Sequence, residues 1–358
     1  MKNEFVKKIN RFLTIVIIGF FAFSCKNPDN PQPAASGNYQ HGVWIINEGG
    51  FGFGNASIDF YHKDKDSLEK NVFENVNGHP LGDVLQSVNH WNGKYYLVVN
   101  NSNNILVVDD KTFKLVSVIS NLVLPRFILP VIQKAYVTSN TSKEITIIDP
   151  TTYSIIGHIP FNPKPDSAWA SWTEQMVYYN NNIYVAAVKA GKILVINNQT
   201  NQIMATINLS IGVKDLVIDL DNNIWALCDG TLATPFIQSK LYRINPQTNT
   251  IEKEFTFPGA SSGVGNLTLN ATTDSIYFVN GGIYKMGIHE TALPSTSLVS
   301  GKGHSFYGLG IDPTDHSIYA GDALDFTQNG LVFQYSSNGQ LKKVHKDGVG
   351  PNGFLFVP

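Results

Sequence analysis

The chain has 358 residues, 43% of them hydrophobic, 11% aromatic and 15% charged, with a formal net charge of −2. A chain this apolar can bury a large core and is not disordered, and it lacks the basic surplus that a nucleic-acid binder needs. Its two cysteines lie far apart, which excludes a disulfide framework and a cysteine-rich zinc site.

Residues 1–24 read as a signal peptide. Lys2, Lys7, Lys8 and Arg11 form a positive n-region, and the apolar run 12–23 is too short for a bilayer core, which takes about 20 residues. The run ends in Ala22-Phe23-Ser24-Cys25, which resembles a bacterial lipobox, so Cys25 is the expected lipidation site; an ordinary secretory signal is the alternative. Residues 25–41, rich in Pro, Asn and Ser, cannot make a core and are expected to form a lipid-anchored flexible tether with a reach of roughly 20 Å. The expected location is the outer membrane, facing the exterior. Cys228, in an apolar strand, is expected to be an inert buried thiol.

Residues 42–358 repeat a unit: an apolar residue, an aromatic, then a short strand. The aromatics are Trp44, Tyr96, Tyr136, Tyr184, Trp225, Tyr277 and Tyr319, spaced by roughly 40–50 residues, the length of a four-stranded propeller blade. A second apolar strand follows each, beginning at Ile58, Ile105, Ile145, Ile193, Leu241, Ile283 and Leu331. Then comes a tight turn, clearest at 109–112, 149–152, 197–200 and 245–248, that opens on Asp or Asn and closes on Thr, types that bond nearby backbone. A third strand leads out, as at 114–119, and a fourth precedes each aromatic, as at 215–219 and 309–312. No long helical period appears. The prediction is an all-β, seven-bladed β-propeller in a single domain, with the aromatics wedged between blades. The first repeat starts at Gly42 without an innermost strand, and residues 352–357 are one strand too many. That C-terminal strand is expected to pair into the first blade and close the ring.

If the strands of a blade are lettered A to D from the centre outward, the A–B and C–D turns share one face. The B–C and D–A connections share the other. The first set is short and uniform; the length variation falls on the second, in loops 47–55, 74–83, 160–173, 229–239, 258–265, 300–307 and 322–329. Loops vary where they carry function, so this face is the predicted binding face. Its candidate ligand contacts are Glu48, Phe51, Phe53, Asn77, His79, Arg126, Trp169, Trp172, His304, Tyr307, Asp322 and Phe326. Aromatics among amides and small residues suit a large uncharged, amide-bearing ligand or a protein partner.

Catalytic signatures are weak. The nine histidines are scattered without zinc-site spacing. Asp215, Asp219 and Asp221 look like a calcium run but coincide with a strand and its turn, whereas Asp322 and Asp325 lie in a variable-face loop where a cation could sit. No nucleophile elbow, phosphate-cradling loop or dinucleotide fingerprint is present. Neither a catalytic residue nor a cofactor is predicted.

Ala135-Tyr136-Val137-Thr138-Ser139-Asn140, followed by the ITIIDPTT run at 145–152, resembles a YVTN-type propeller repeat. The opening Trp44-Ile45-Ile46-Asn47-Glu48-Gly49-Gly50-Phe51-Gly52 and the closing Gly350-Pro351-Asn352-Gly353-Phe354 resemble a family of surface lipoproteins of gut-type diderm bacteria. So does Tyr307-Gly308-Leu309-Gly310-Ile311-Asp312-Pro313. The best-understood members are cell-surface cobalamin-capture lipoproteins that work with a TonB-dependent outer-membrane transporter. The resemblance implies a non-enzymatic capture protein, with cobalamin or another corrinoid as the favoured ligand and such a transporter as partner. The alternatives are a protein-interaction scaffold or accessory subunit of another uptake system, and a propeller lactonase or lyase.

Overall fold

The computed structural model describes residues 39–161, 171–233, 235–259 and 264–358. Cys25, the tether up to residue 38 and Trp169 lie outside them. Blade 1 contains β1 (Gly42–Asn47), β2 (Ser57–His62) and β3 (Ser67–Glu69), with a short helix α1 (Val72–Asn77) leading out. Blade 2 is β4 (Leu85–Trp91), β5 (Lys94–Val99), β6 (Asn104–Asp109) and β7 (Leu115–Ile119). Blade 3 is β8 (Pro125–Val131), β9 (Lys134–Ser139), β10 (Glu144–Asp149) and β11 (Ser154–Pro160). Blade 4 is β12 (Thr173–Tyr179), β13 (Asn182–Ala187), β14 (Lys192–Asn197) and β15 (Gln202–Asn208). Blade 5 is β16 (Val213–Ile218), β17 (Ile224–Cys228), β18 (Lys240–Asn245) and β19 (Thr250–Thr256). Blade 6 has β20 (Gly265–Leu269), β21 (Ser275–Val279) and β22 (Ile283–Gly287). Blade 7 is β23 (Phe306–Ile311), β24 (Ile318–Asp322), β25 (Leu331–Tyr335) and β26 (Leu341–Lys346), and the chain ends in β27 (Pro351–Val357).

These are seven antiparallel sheets, and the fold is a seven-bladed β-propeller. The last strand closes the ring as expected: β27 pairs antiparallel with β1, from Gly42↔Val357 to Asn47↔Pro351, and supplies the missing innermost strand of blade 1. Alternation along β27 serves two interfaces. Leu355 and Val357 pack on the Trp44 cluster shared with blade 2, while Phe354 and Phe356 pack on Tyr319 of blade 7.

The recurring aromatics are buried and sit in clusters shared by adjacent blades. Tyr184 packs against Ile224 and Ala226, and Trp225 against Ile276 and Phe278. Some also stitch blades by hydrogen bonds. The Tyr136 hydroxyl donates to Asn198 and Asn201 at 3.0 Å each, and Tyr184 donates to the Pro246 carbonyl at 2.8 Å. Those acceptors lie in the C–D turn of the next blade. The turns themselves form as the sequence requires: Asp109, Asp149 and Asn197 accept from the backbone two and three residues on.

Two expectations need correction. Blade 6 has three strands, not four; the segment after β22 keeps one bridge, Ile283↔Val299. That segment contains Pro294 among Ser and Thr, with no apolar alternation to make a strand. Second, part of the expected loop 74–83 is helix α1, six residues that bury Val72 and Phe73 in the cluster between blades 1 and 2. So short a helix leaves no period to detect.

Replacing Tyr184 by Phe keeps the ring but leaves the Pro246 carbonyl without its donor. Urea unfolding should show a loss of about 1 kcal/mol. No loss would mean that the hydroxyl contributes nothing to blade adhesion.

Candidate functional site

Each of the seven innermost strands carries a β-bulge near its first residue, at the end that the D–A connection feeds. One extra residue enters between Leu85 and Ser87, between Val213 and Asp215, and between Phe306 and Gly308. Two residues face one between Pro125 and Ile128, Thr173 and Met176, and Gly265 and Thr268, while on β27 Asn352 is extra. A bulge re-aims the side chains beside it. Here the residues in or beside the bulges are Gln86, Arg126, Glu174, Lys214, Asn266, Tyr307 and Asn352, and all of them line one central funnel of about 600 Å³. Its mouth opens at the end of the innermost strands that the D–A connections feed, the face of the long loops.

Six of these residues, without Lys214, and neighbours beside them form an unbroken belt of hydrogen bonds that joins every pair of adjacent blades. Asn352 Nδ2 donates to the Gln86 carbonyl at 3.2 Å, and Ser87 Oγ to the Arg126 carbonyl at 2.7 Å. Arg126 also donates to the Gln86 side chain. Its guanidinium grips Glu174 Oε1 through Nε at 2.9 Å and Nη2 at 2.6 Å, and the Trp172 indole N–H reaches the same oxygen at 2.6 Å. Gln175 Oε1 accepts from Leu216 N at 2.9 Å, and Asp215 Oδ2 from Leu267 N at 3.3 Å. Asn266 donates to the Tyr307 carbonyl at 2.9 Å, and the Tyr307 hydroxyl to Glu48 Oε2 at 2.5 Å, which returns the belt to blade 1.

The charges at the mouth are largely matched within the protein. Arg126 pairs with Glu174, and Lys214 Nζ with Asp229 Oδ2 at 3.0 Å. Burial pulls the Lys214 ammonium down, but Asp215 and Asp229 outweigh it and leave its pKa raised. Burial pushes Asp215 up to about 6 against the pull of Lys214, and it pushes Glu48 up in spite of the Tyr307 donor and Arg126. Burial raises the Tyr307 phenol too, with the Glu48 charge adding to the effect.

Of the sequence candidates, Glu48, Arg126, Trp172 and Tyr307 come together in or beside the belt. Tyr307 does so from a strand, as the bulged residue of β23, and Trp172 from the connection that directly precedes β12. His304 lines the funnel, its Nδ1 3.3 Å from Asp322 Oδ2. Asp322 is buried and accepts from Leu324 N at 3.0 Å and Ser305 N at 3.3 Å, so it holds two loops. Phe326 packs edge-on to Tyr307, with ring centroids 4.8 Å apart. Phe51 and Phe53 stand out at the rim, 73% and 75% exposed, on a loop pinned where Gly50 N donates to Asn55 and Gly52 N to Asp83. Two candidates lie elsewhere. Asn77 ties α1 to blade 2, donating to the Phe113 carbonyl at 3.1 Å and accepting from Leu115 N at 2.8 Å. His79 is exposed against Phe73 and the Pro80 carbonyl. Asp325 accepts from Thr327 N and Gln328 N within its own turn. Among the described residues no three His, Cys, Asp or Glu side chains gather in a way that could hold a metal ion.

Gln86, Glu174, Lys214, Asp215, Asn266 and Asn352 were not expected. Their signal is a polar residue one or two places into an otherwise apolar innermost strand, as in Pro125-Arg126-Phe127-Ile128 or Val213-Lys214-Asp215-Leu216.

Two outcomes follow. Glu174→Ala takes the carboxylate partner from the half-buried Arg126 guanidinium and the Glu174 acceptor from the Trp172 indole, which should lower stability by about 2 kcal/mol in denaturant unfolding. For Asp215 the folded pKa lies above the ordinary 3.8, so its neutral form contributes stability that is full below 3.8 and lost as pH rises through about 6. Asp215→Asn should therefore flatten the fall in stability across that window, and parallel curves for the two proteins would refute the shift.

Among curated proteins no sequence matches. A quinonprotein alcohol dehydrogenase-like protein of Bacteroides thetaiotaomicron superposes with a TM-score of 0.68 at 16% identity, over 90% of this chain and 79% of that one. Two 6-phosphogluconolactonase-like proteins are also similar. That of Bacteroides fragilis has a TM-score of 0.67 at 12% identity, covering 89% of this chain and 98% of its own. That of Bacteroides uniformis has 0.66 at 12% identity, covering 89% and 100%. At such identities the likeness is one of fold alone. A family model described as a domain of unknown function, DUF5074, matches residues 41–348, and the chain belongs to that family.

Proposed function

We propose that the protein is a non-enzymatic, surface-anchored ligand-capture propeller whose binding site is the belted funnel and its aromatic rim. One observation carries this reading: seven bulges turn polar side chains into a single mouth, and the belt locks them in place before any ligand arrives. Preorganised donors and acceptors lower the ordering cost of binding. A cavity of about 600 Å³ is in the range of small-molecule sites.

The favoured ligand is cobalamin or another corrinoid. A corrinoid is an amide-fringed macrocycle too broad to descend into the funnel, so it would lie across the mouth. Its amide arms would reach the belt at Gln86, Asn266 and Asn352, and Phe51 and Phe53 would cover its edge. Anchored through Cys25, the propeller would hold its cargo close to a TonB-dependent transporter and raise the local concentration there. A phosphosugar lactone is disfavoured because acids outnumber bases around the mouth, Glu48, Glu174, Asp215 and Asp229 against Arg126 and Lys214. That field opposes a phosphoester. The exposure of Phe51 and Phe53 on a pinned loop supports a second reading, docking of a protein partner at the rim.

Calorimetric titration of the purified protein with cyanocobalamin should saturate at one ligand per chain with submicromolar affinity. Phe53→Ala and Gln86→Ala should each weaken it by about tenfold or more, equivalent to about 1.4 kcal/mol. Absence of heat, with no shift in melting temperature, would refute the corrinoid and leave the docking reading.

A further inference from the structure

The hydrogen bonds of the funnel leave oxygen acceptors over, and these gather on the arc formed by blades 4, 5 and 6. Both cations of this wall already have carboxylate partners: Arg126 is bound to Glu174, and Lys214 Nζ is drawn to Asp229 at 3.0 Å. The Trp172 indole and the Tyr307 hydroxyl are engaged with Glu174 and Glu48. Glu174 is 4% exposed, and all three donors that reach it fall on Oε1, so Oε2 receives no hydrogen bond among the described residues. Asp215 has one donor, Leu267 N, at a long 3.3 Å on Oδ2, and none on Oδ1. Asn266 donates through Nδ2 to the Tyr307 carbonyl, and no described residue donates to its Oδ1. Across the funnel, Asn352 Oδ1 is buried without a donor as well.

These oxygens belong to one stretch of wall. Gln175, next to Glu174, accepts from Leu216 N, next to Asp215, while Leu267 N, next to Asn266, reaches Asp215 itself. Glu174, Asp215 and Asn266 all line the funnel. A buried carboxylate oxygen without a donor is costly, and a ligand that brings N–H groups removes that cost. An anion would meet the wrong charge here. A metal ion needs several fixed ligands, and among the described residues no three His, Cys, Asp or Glu side chains gather to supply them. A primary ammonium group brings positive charge and three N–H donors, one for each of Glu174 Oε2, Asp215 Oδ1 and Asn266 Oδ1.

We propose that this arc is a subsite for a primary ammonium group on a small-molecule ligand, held by Glu174, Asp215 and Asn266. The inference rests on the reading of the funnel as the binding site, but not on the ligand being a corrinoid. A funnel of about 600 Å³ has the size of a small-molecule site and admits an aminoalkyl arm. The charged groups around Asp215 are Lys214 on its own strand, Asp229 after β17 and Glu174 on β12, with Arg126 of β8 behind Glu174. His304 and Tyr307 of blade 7, with Glu48 bound to Tyr307, complete the titratable groups of the lining, and β20 contributes none. Burial has raised Asp215 to about 6, so the carboxylate that an ammonium requires forms only as pH climbs through that value. The subsite therefore binds its cation more tightly in mild alkali than in mild acid.

The test titrates n-butylammonium and its neutral counterpart butyramide into the purified protein, followed by saturation-transfer NMR at about pH 5 and about pH 8. At the higher pH n-butylammonium should bind about tenfold or more tightly than butyramide, and it should weaken by about tenfold at the lower pH. Asp215→Asn should erase both differences. The two comparisons on the unaltered protein decide the matter if that variant fails to fold. Equal affinity for the two probes, no binding of n-butylammonium, or the same affinity at both pH values would overturn the subsite. Binding that Asp215→Asn leaves unchanged would place the amine elsewhere and overturn it too. Cyanocobalamin binding without any preference for n-butylammonium would remove the subsite and leave ligand capture standing. Preferential n-butylammonium binding without cyanocobalamin binding would support the subsite and refute the corrinoid.

Discussion

A propeller is a ring without a covalent join, so everything else in it depends on how the two ends of the chain meet. In this protein they meet by backbone hydrogen bonding between β27 and β1, in a sheet whose other strands come from the opposite end of the sequence. The entropy of closing so long a loop grows only slowly with its length, so a single strand of good register suffices. Its alternation matters as much as its hydrogen bonds. One face of β27 completes the blade 2 interface and the other the blade 7 interface, so closure seals two hydrophobic clusters at once. Gly321 shows how tight the seam is: a Cβ there would come within 2.1 Å of the Pro351 carbonyl oxygen.

The belt is the polar counterpart of that seam. Packing between blades is non-directional and would tolerate small rotations, whereas hydrogen bonds between successive innermost strands fix each blade against the next. The bulges make this possible, because a regular strand would place alternate side chains in the blade interfaces and leave the polar ones without a common focus. Blade adhesion and the lining of the funnel thus share residues. Arg126 and Glu174 hold blades 3 and 4 together while presenting a charged wall to the funnel, and Tyr307 with Glu48 does the same across the closure. Asp215 and Glu48, whose neighbours offset burial only in part, add charge that a bound donor could satisfy.

The repeat of aromatics made the fold legible, because each blade needs one large side chain at the same interface and Trp or Tyr satisfies that need at every turn of the ring. The surplus strand after Asn352 disclosed the closure by the same logic. The face of the site could also be read, since loop length is a one-dimensional property. Its centre could not. A bulge is a relation between two strands, and Lys214 or Gln86 looks like an ordinary solvent-facing residue until the partner register is known. The weight placed on long-loop residues reached Tyr307 and Trp172 but also Asn77, whose amide is occupied with backbone on α1 and β7. Blade 6 lost its outer strand for a reason that was visible, Pro294, but that a count of repeats overrode.

The first described residues carry a mechanical consequence. Tyr39 is buried against Trp44, Phe60 and Phe113 and donates to Glu69 at 3.1 Å, so the chain is gripped before it becomes β1. It joins the propeller on the short-turn face, opposite the funnel mouth. Tension transmitted from upstream would run along the axis of β1, a strand bonded on both sides, by β27 and β2. Hydrogen bonds loaded in that direction resist together in shear rather than parting one after another. A pull at this end is therefore met by both ladders of β1 at once, and one of the two is the closure of the ring.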